Sequence, residues 1–169
     1  AESSLVLTNA ALSAVQIVYS PLIEYAYALP FGWNMISLPL TVEDPSLEAI
    51  FPDAISLFGF ESGYVSASRL EAVTGYWINL VDQETVTIQG ASHTDCTANI
   101  PSGWSMVGPC DSSVSVDDLK TDNPDLISVF GFEAGYFSAE NMFPGDGYWM
   151  NMVAAGAFDP GSAPAGKPV

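Results

Sequence analysis

Apolar positions along this chain come in short runs that alternate with polar ones, and glycine or proline cuts them before a helix-length stripe can build up. The pattern is also stated twice. LFGFESGYVSA at 57–67 returns as VFGFEAGYFSA at 129–139, and GYWINLV at 75–81 returns as GYWMNMV at 147–153, both shifted by 72 residues. Upstream, PFGWNMI at 30–36 returns as PSGWSMV at 101–107, shifted by 71, so a single-residue indel separates the two elements. A period this long marks a duplicated small domain rather than one turn of a solenoid.

Each copy parses in the same way. A strand enters a turn at Pro-x-Gly-Trp and returns as residues 34–40 or 105–110. A short helix follows. In the first copy Asp44 is placed to cap it with Pro45 in the first helical position; in the second, Ser115 with Asp118 three residues on resembles a capping box. Pro52 and Pro124 end these helices. Strands at 55–60 and 64–68 form a hairpin over Glu61-Ser62-Gly63, copied as 127–132 and 136–139 over Glu133-Ala134-Gly135. Gly63 and Gly135 are expected to supply the positive φ of a three-residue loop. A last strand runs through 75–81 and 147–153. The fold class that follows is mainly β: two tandem homologous β-modules, residues 22–94 and 95–158, each with one short helix.

Two segments fall outside the repeat. Residues 159–169 are rich in Pro, Gly and Ala and read as an extended tail with no core of its own. Residues 1–21 are apolar and rich in β-branched side chains. A helix from Asn9 with Leu12, Val15 and Tyr19 on one face competes here, but Val15-Gln16-Ile17-Val18-Tyr19 favours a strand. With both repeats able to close their own cores, this strand is a surplus element. It reads as a donor strand for a neighbouring subunit, burying Leu5, Leu7, Val15, Ile17 and Tyr19 at the interface.

The residues Gly32-Trp33-Asn34-Met35-Ile36-Ser37-Leu38-Pro39, then Phe58-Gly59-Phe60, Gly63-Tyr64 and Gly75-Tyr76-Trp77, resemble a G-W-N-L-I-S-L-P / G-Y-W repeat of secreted bacterial and archaeal cell-surface proteins. The second copy departs from it at Gly108-Pro109-Cys110, and the first has Ala72-Val73-Thr74 where the pattern has Pro-Gly. The resemblance implies a β-rich module and an extracellular or cell-surface location. It carries over no catalytic residue.

Charge narrows the partners. Three basic residues (Arg69, Lys120 and Lys167) stand against 20 acidic ones, for a net charge of −17. No basic patch can be assembled from three scattered cations, so nucleic acid and anionic membrane surfaces are poor partners. The run at 3–19 is uncharged but interrupted by Ser, Thr, Asn and Gln, which argues against membrane insertion. The acidity itself needs nothing more than a solvated surface, although divalent cations remain a partner it would suit. The chain opens on Ala1-Glu2-Ser3, which reads as a mature end, and scarce lysine with two cysteines points to a secreted protein.

Catalytic chemistry finds little purchase. His93 is the single histidine, so a two-histidine metal site cannot form. Glu61 and Glu133 match between the repeats but fall on hairpin tips, where solvation explains them better than a glycosidase pair. Asp117, Asp118, Asp122 and Asp125 lack the spacing of a calcium loop. The expectation is a protein that is not an enzyme and has no cofactor, metal or catalytic residue. The duplicated aromatics, Trp33 and Trp104 among them, are read first as core; an exposed subset would suit sugar rings, hence polysaccharide as a further partner. Cys96 and Cys110 are equidistant from Gly103 and would face each other across a hairpin centred there, about 4.5–5.5 Å apart in Cα, within reach of a disulfide. The function these residues predict is a non-catalytic extracellular subunit of a surface fibre that polymerises with itself. The alternative is a carbohydrate-binding or adhesion module of a larger secreted protein.

Overall fold

The computed structural model describes residues 21–158. Segments 1–20 and 159–169 lie outside them, and with them the donor-strand residues Leu5, Leu7, Val15, Ile17 and Tyr19 and the expected tail. The described chain is mainly β, 14 strands and two short helices arranged in several antiparallel sheets.

The first repeat builds a four-stranded sheet from β2 (Gly32–Ser37), β3 (Ala54–Phe60), β4 (Tyr64–Ser66) and β5 (Gly75–Leu80), in the order β2-β5-β3-β4. The second builds one from β8 (Gly103–Val107), β10 (Leu126–Phe132), β11 (Tyr136–Ser138) and β13 (Tyr148–Met152), in the order β8-β13-β10-β11. Each long strand carries a register shift at one place, between Ala54 and Ser56 and between Leu126 and Ser128. The extra residue, Ile55 or Ile127, is turned out to solvent, which its apolar side chain alone would not suggest. Over the inner face of the first sheet lies a ladder of seven pairs between β1 (Ile23–Leu29) and β6 (Glu84–Gly90). Over the second lies a shorter one of three pairs between β7 (Ala98–Ile100) and β14 (Gly156–Phe158). A small bridge pairs β9 (Val114–Ser115) with β12 (Asn141–Met142).

The turn after Pro101 does join two strands, but β7 and β8 do not pair with each other: β8 pairs with β13 and β7 with β14. The chain changes layer at this turn instead of folding back as a ladder. Cys96 and Cys110 are bonded nonetheless, with Cα atoms 6.2 Å apart, wider than facing ladder residues.

The helices are set by their caps. In α1 (Leu47–Ile50) the cap is Ser46, whose Oγ accepts from Ala49 N, not Asp44; Asp44 sits two residues earlier and its Oδ1 accepts from Ser46 N at 2.9 Å. In α2 (Val116–Asp122), Ser115 Oγ accepts from Asp118 N as its spacing predicts. The hairpin tips also differ from expectation. The residues at positive φ are Ser62 (63°) and Ala134 (56°), while Glu61 N donates to Gly63 O and Glu133 N to Gly135 O.

Two buried clusters result. One joins Tyr27, Ile36, Leu57, Tyr76, Ile78 and Leu80 beneath β1, β6 and α1. The other joins Val107, Val129, Tyr148, Met150 and Phe158, and it also takes in Val73 from the first repeat. The repeats cross over each other in this way at their strand ends. Ser37 N donates to Gly145 O, Gly147 N to Met35 O and Gly108 N to Val73 O. A Cβ on Gly75 would stand 2.7 Å from Val107 O, and one on Gly147 the same distance from Ile36 O, so the close approach itself demands glycine at both places. Val73 occupies the left-handed region (φ 62°), where the second repeat has Gly145 (φ 82°). Its burial in the far cluster and its carbonyl's bond from Gly108 hold that conformation.

Candidate functional site, two aromatic clefts and the grooves beside them

Strand alternation sends odd positions of β2 and β5 and even positions of β3 to the face away from each core. In the first sheet that face carries Trp33, Met35, Trp77, Phe58, Phe60 and, from β4, Tyr64; in the second it carries Trp104, Met106, Trp149, Phe130, Phe132 and Tyr136. These faces meet. Met35, Trp77 and Met106 form a third buried cluster, flanked by half-buried Phe58, Phe60, Phe132 and Trp149. Edge-to-face pairs cross the junction in matched fashion, Trp77 with Phe132 and Phe60 with Trp149, each at 4.8 Å between ring centres. Within each repeat the geometry is the same again: Trp33 to Phe58 and Trp104 to Phe130 are both 6.0 Å apart at 43°.

The rings do not fill the space they surround. One cleft of about 460 Å³ is lined by Phe60, Trp104, Phe130, Tyr136 and Trp149. Its counterpart, about 420 Å³, is lined by Trp33, Phe58, Tyr64, Trp77 and Phe132, the equivalent residue at every position. The duplicated aromatics are thus split between core and surface. Tyr76, Trp77 and Tyr148 are buried, whereas Trp33 is 47% exposed, Trp104 45%, and Tyr64 and Tyr136 59% each. Exposed aromatics in two matched clefts make this face the candidate binding surface.

Beside each cleft runs a longer groove. One, about 910 Å³, lies between β8 and the β3–β4 hairpin, with Gly59, Val65, Tyr76, Ile100, Trp104 and Val107 in its walls. The other, about 640 Å³, lies between β2 and the β10–β11 hairpin and includes Trp33, Gly131, Phe137 and Tyr148. Among the described residues β2 pairs only with β5 and β8 only with β13, apart from single bridges at Ile36 and Val107. Among the described residues each groove is therefore bordered by an unpaired strand edge.

Titratable groups cluster at one end of the β2 groove. Tyr25 OH donates to Pro144 O at 2.6 Å, and Tyr148 OH accepts from Phe143 N at 2.9 Å. The Asp146 carboxyl beside them is pushed up to about 6, chiefly by desolvation and then by the charge of Glu133. Tyr25 is pushed up to about 12 by burial and by Asp146. Neither arrangement forms a nucleophile–base pair. His93 is held structurally, its Nδ1 2.9 Å from Thr41 Oγ1 and its Nε2 3.1 Å from Leu38 O. Among the described residues no three of His, Cys, Asp and Glu gather as a metal site would require, and no helix is long and apolar enough to cross a membrane.

The grooves were not anticipated from the sequence, although one signal was in view. Within the repeated 57–67 and 129–139 segments, Val65 faces Phe137 as the one aliphatic-for-aromatic exchange. No family model, curated protein or solved structure matches this chain.

Proposed function

We propose that this protein is a non-catalytic extracellular structural subunit, built from two homologous β-modules at 22–94 and 95–158, that assembles into a surface filament by adding its N-terminal segment to a neighbouring copy. The observation that carries this reading is the pair of strand edges, β2 and β8, unpaired among the described residues and each bordering a groove of mixed apolar and polar walls. An unpaired edge beside apolar surface is a template for an incoming strand. Among the described residues, those from 27 to 158 build two buried clusters, one under each lid. The Cys96–Cys110 disulfide supports an oxidising compartment, in line with secretion. Electron microscopy of the purified full chain tests the reading: regular filaments are expected, and a uniform monomer at every concentration overturns it.

A second reading has its own observation in the matched aromatic clefts. Exposed Trp33, Trp104, Tyr64 and Tyr136 offer flat faces on which sugar rings stack, as a carbohydrate-binding module would use them. The clefts, however, are lined by aromatic rings alone, with few polar groups to read hydroxyls. Retention of the monomer on insoluble polysaccharide, lost in a Trp33→Ala/Trp104→Ala double variant, would favour this second reading.

A further inference from the structure

We propose that the groove between β8 and the β3–β4 hairpin is the acceptor for residues 3–20 of a second copy of this chain, and that Phe137 closes the equivalent groove along β2. The inference rests on the filament reading above and gives it an address. The two grooves share equivalent walls from Trp33 or Trp104 to the hairpin glycine, but the one along β8 also runs on past Ser66, Arg69 and Val73, and it measures about 910 Å³ against about 640 Å³. Within the shared walls they differ at one exchanged pair, Val65 for Phe137. In the second repeat the Phe137 ring lies flat over Gly131, its Cζ 2.5 Å from where a Cβ would stand. In the first, Val65 leaves Gly59 uncovered, the nearest atoms to a Cβ there being Tyr76 at 3.6 Å and Val65 at 3.9 Å.

The open groove also offers hydrogen bonds. Gly108 N points away from β13, since it donates to Val73 O on the far side. Antiparallel alternation then turns the backbone groups of Trp104 the same way, into the groove, where no strand among the described residues pairs with them. The occupant follows from charge. A chain of net −17 resists its own copies, and the groove rim carries Glu61 and Glu71 against a single Arg69. Residues 3–23 form the longest stretch of the sequence without a charged side chain, so they can approach a second copy without that repulsion. Extended at about 3.3 Å per residue, the 18 residues 3–20 span roughly 60 Å, enough to leave one body and cross another. The alternating Val15, Ile17 and Tyr19 would turn one face to the apolar floor of Gly59, Val65 and Ile100.

The experiment uses the full chain with a photo-crosslinking benzoyl-phenylalanine at Leu7 or Ile17, in an equal mixture of isotopically light and heavy copies. Expected are light–heavy crosslinks from these positions to residues 59–67 and 98–107. Val65→Phe, which installs the side chain the second repeat already tolerates, should cut filament mass at least tenfold, while Phe137→Val should not. Crosslinks confined to one chain overturn both readings, whereas light–heavy crosslinks directed to 28–34 and 131–137 overturn the proposal while leaving the filament reading intact. So does a folded Val65→Phe protein that assembles like wild type. The crosslink map on otherwise unaltered protein decides the matter even if Val65→Phe misfolds. A wild-type chain that never assembles overturns both readings.

Discussion

In the first repeat, seven residue pairs between β1 and β6 cover the sheet; in the second, three pairs between β7 and β14 do so, and a disulfide stands where the rest of the ladder would be. The correspondence is positional. Tyr25 faces Ile88 in the first lid, and the repeat shifts carry those positions to Cys96 and Pro160. Proline has no N–H to give a ladder, and among the described residues β14 runs to Phe158. Cys96 then reaches Cys110 instead, the position equivalent to Pro39. Two solutions to one covering problem therefore sit on matching sheets: seven cross-strand pairs in one, three pairs and a covalent tie in the other.

The sharpest way to test that the sheets beneath are equivalent is to hollow both. Ile78 and Met150 occupy matched, fully buried positions, and replacing either by Ala should cost about 2–5 kcal/mol. Similar losses for the two in denaturant titrations are expected; a large loss at one and almost none at the other would break the comparison. The lids should then respond differently to reduction. A Cys96→Ser/Cys110→Ser variant opens a loop with a sequence separation of 14. The expected cost is about 3 kcal/mol. Hydrogen exchange should quicken at Ala98–Ile100 and Gly156–Phe158 while Ile23–Leu29 keeps its protection. Uniform loosening of both lids would mean the disulfide braces the whole molecule.

Smaller effects are expected at the hairpin tips, where the repeats agree. Ser62 and Ala134 both hold positive φ. Glycine at either should stabilise by roughly 0.5–1 kcal/mol, the relieved backbone strain exceeding the added unfolded-state entropy. A melting-temperature drop in either variant would contradict this.

The smallest effect separates the repeats again, because Asp146 of the second repeat corresponds to Thr74 of the first. A carboxyl whose folded value is raised to about 6 from its ordinary 3.8 binds its proton more tightly in the folded protein. Its contribution is thus favourable in acid and is lost as pH climbs from about 4 through about 6. Asp146→Asn should raise the melting temperature more at pH 8 than at pH 4. The gain should be modest, since solvent still reaches the residue. An equal gain at both pH values would remove the carboxyl from the explanation.

Much of this architecture was legible in the chain, and the physical reason is locality. Strand positions, the helix capped by Ser115 and the ends before Pro52 and Pro124 depend on residues within a turn or two of one another. β6 was missed even though Thr85, Val86, Thr87 and Ile88 alternate, with Ile88 buried, because this segment had no marker in the repeated motifs. The cysteine pairing was reached through a hairpin that does not exist as a ladder: the two residues are close because the chain steps between layers at Gly103. Positive φ was assigned to Gly63 and Gly135 by residue preference, but the hydrogen bond from Glu61 or Glu133 across the tip places it one residue earlier.

What the sequence determined alone, then, was the duplication, the β class, the absence of any basic surface and the pairing of the cysteines. What only the tertiary structure decided was which strands became partners and which faces stayed wet. Trp33 and Trp77 share one face of one sheet, yet the first is half in solvent and the second buried, because the second repeat covers only part of that face. Pattern along a strand says which side chains share a face. Whether that face is covered depends on where a segment some 70 residues away comes to rest, and no local pattern carries that information.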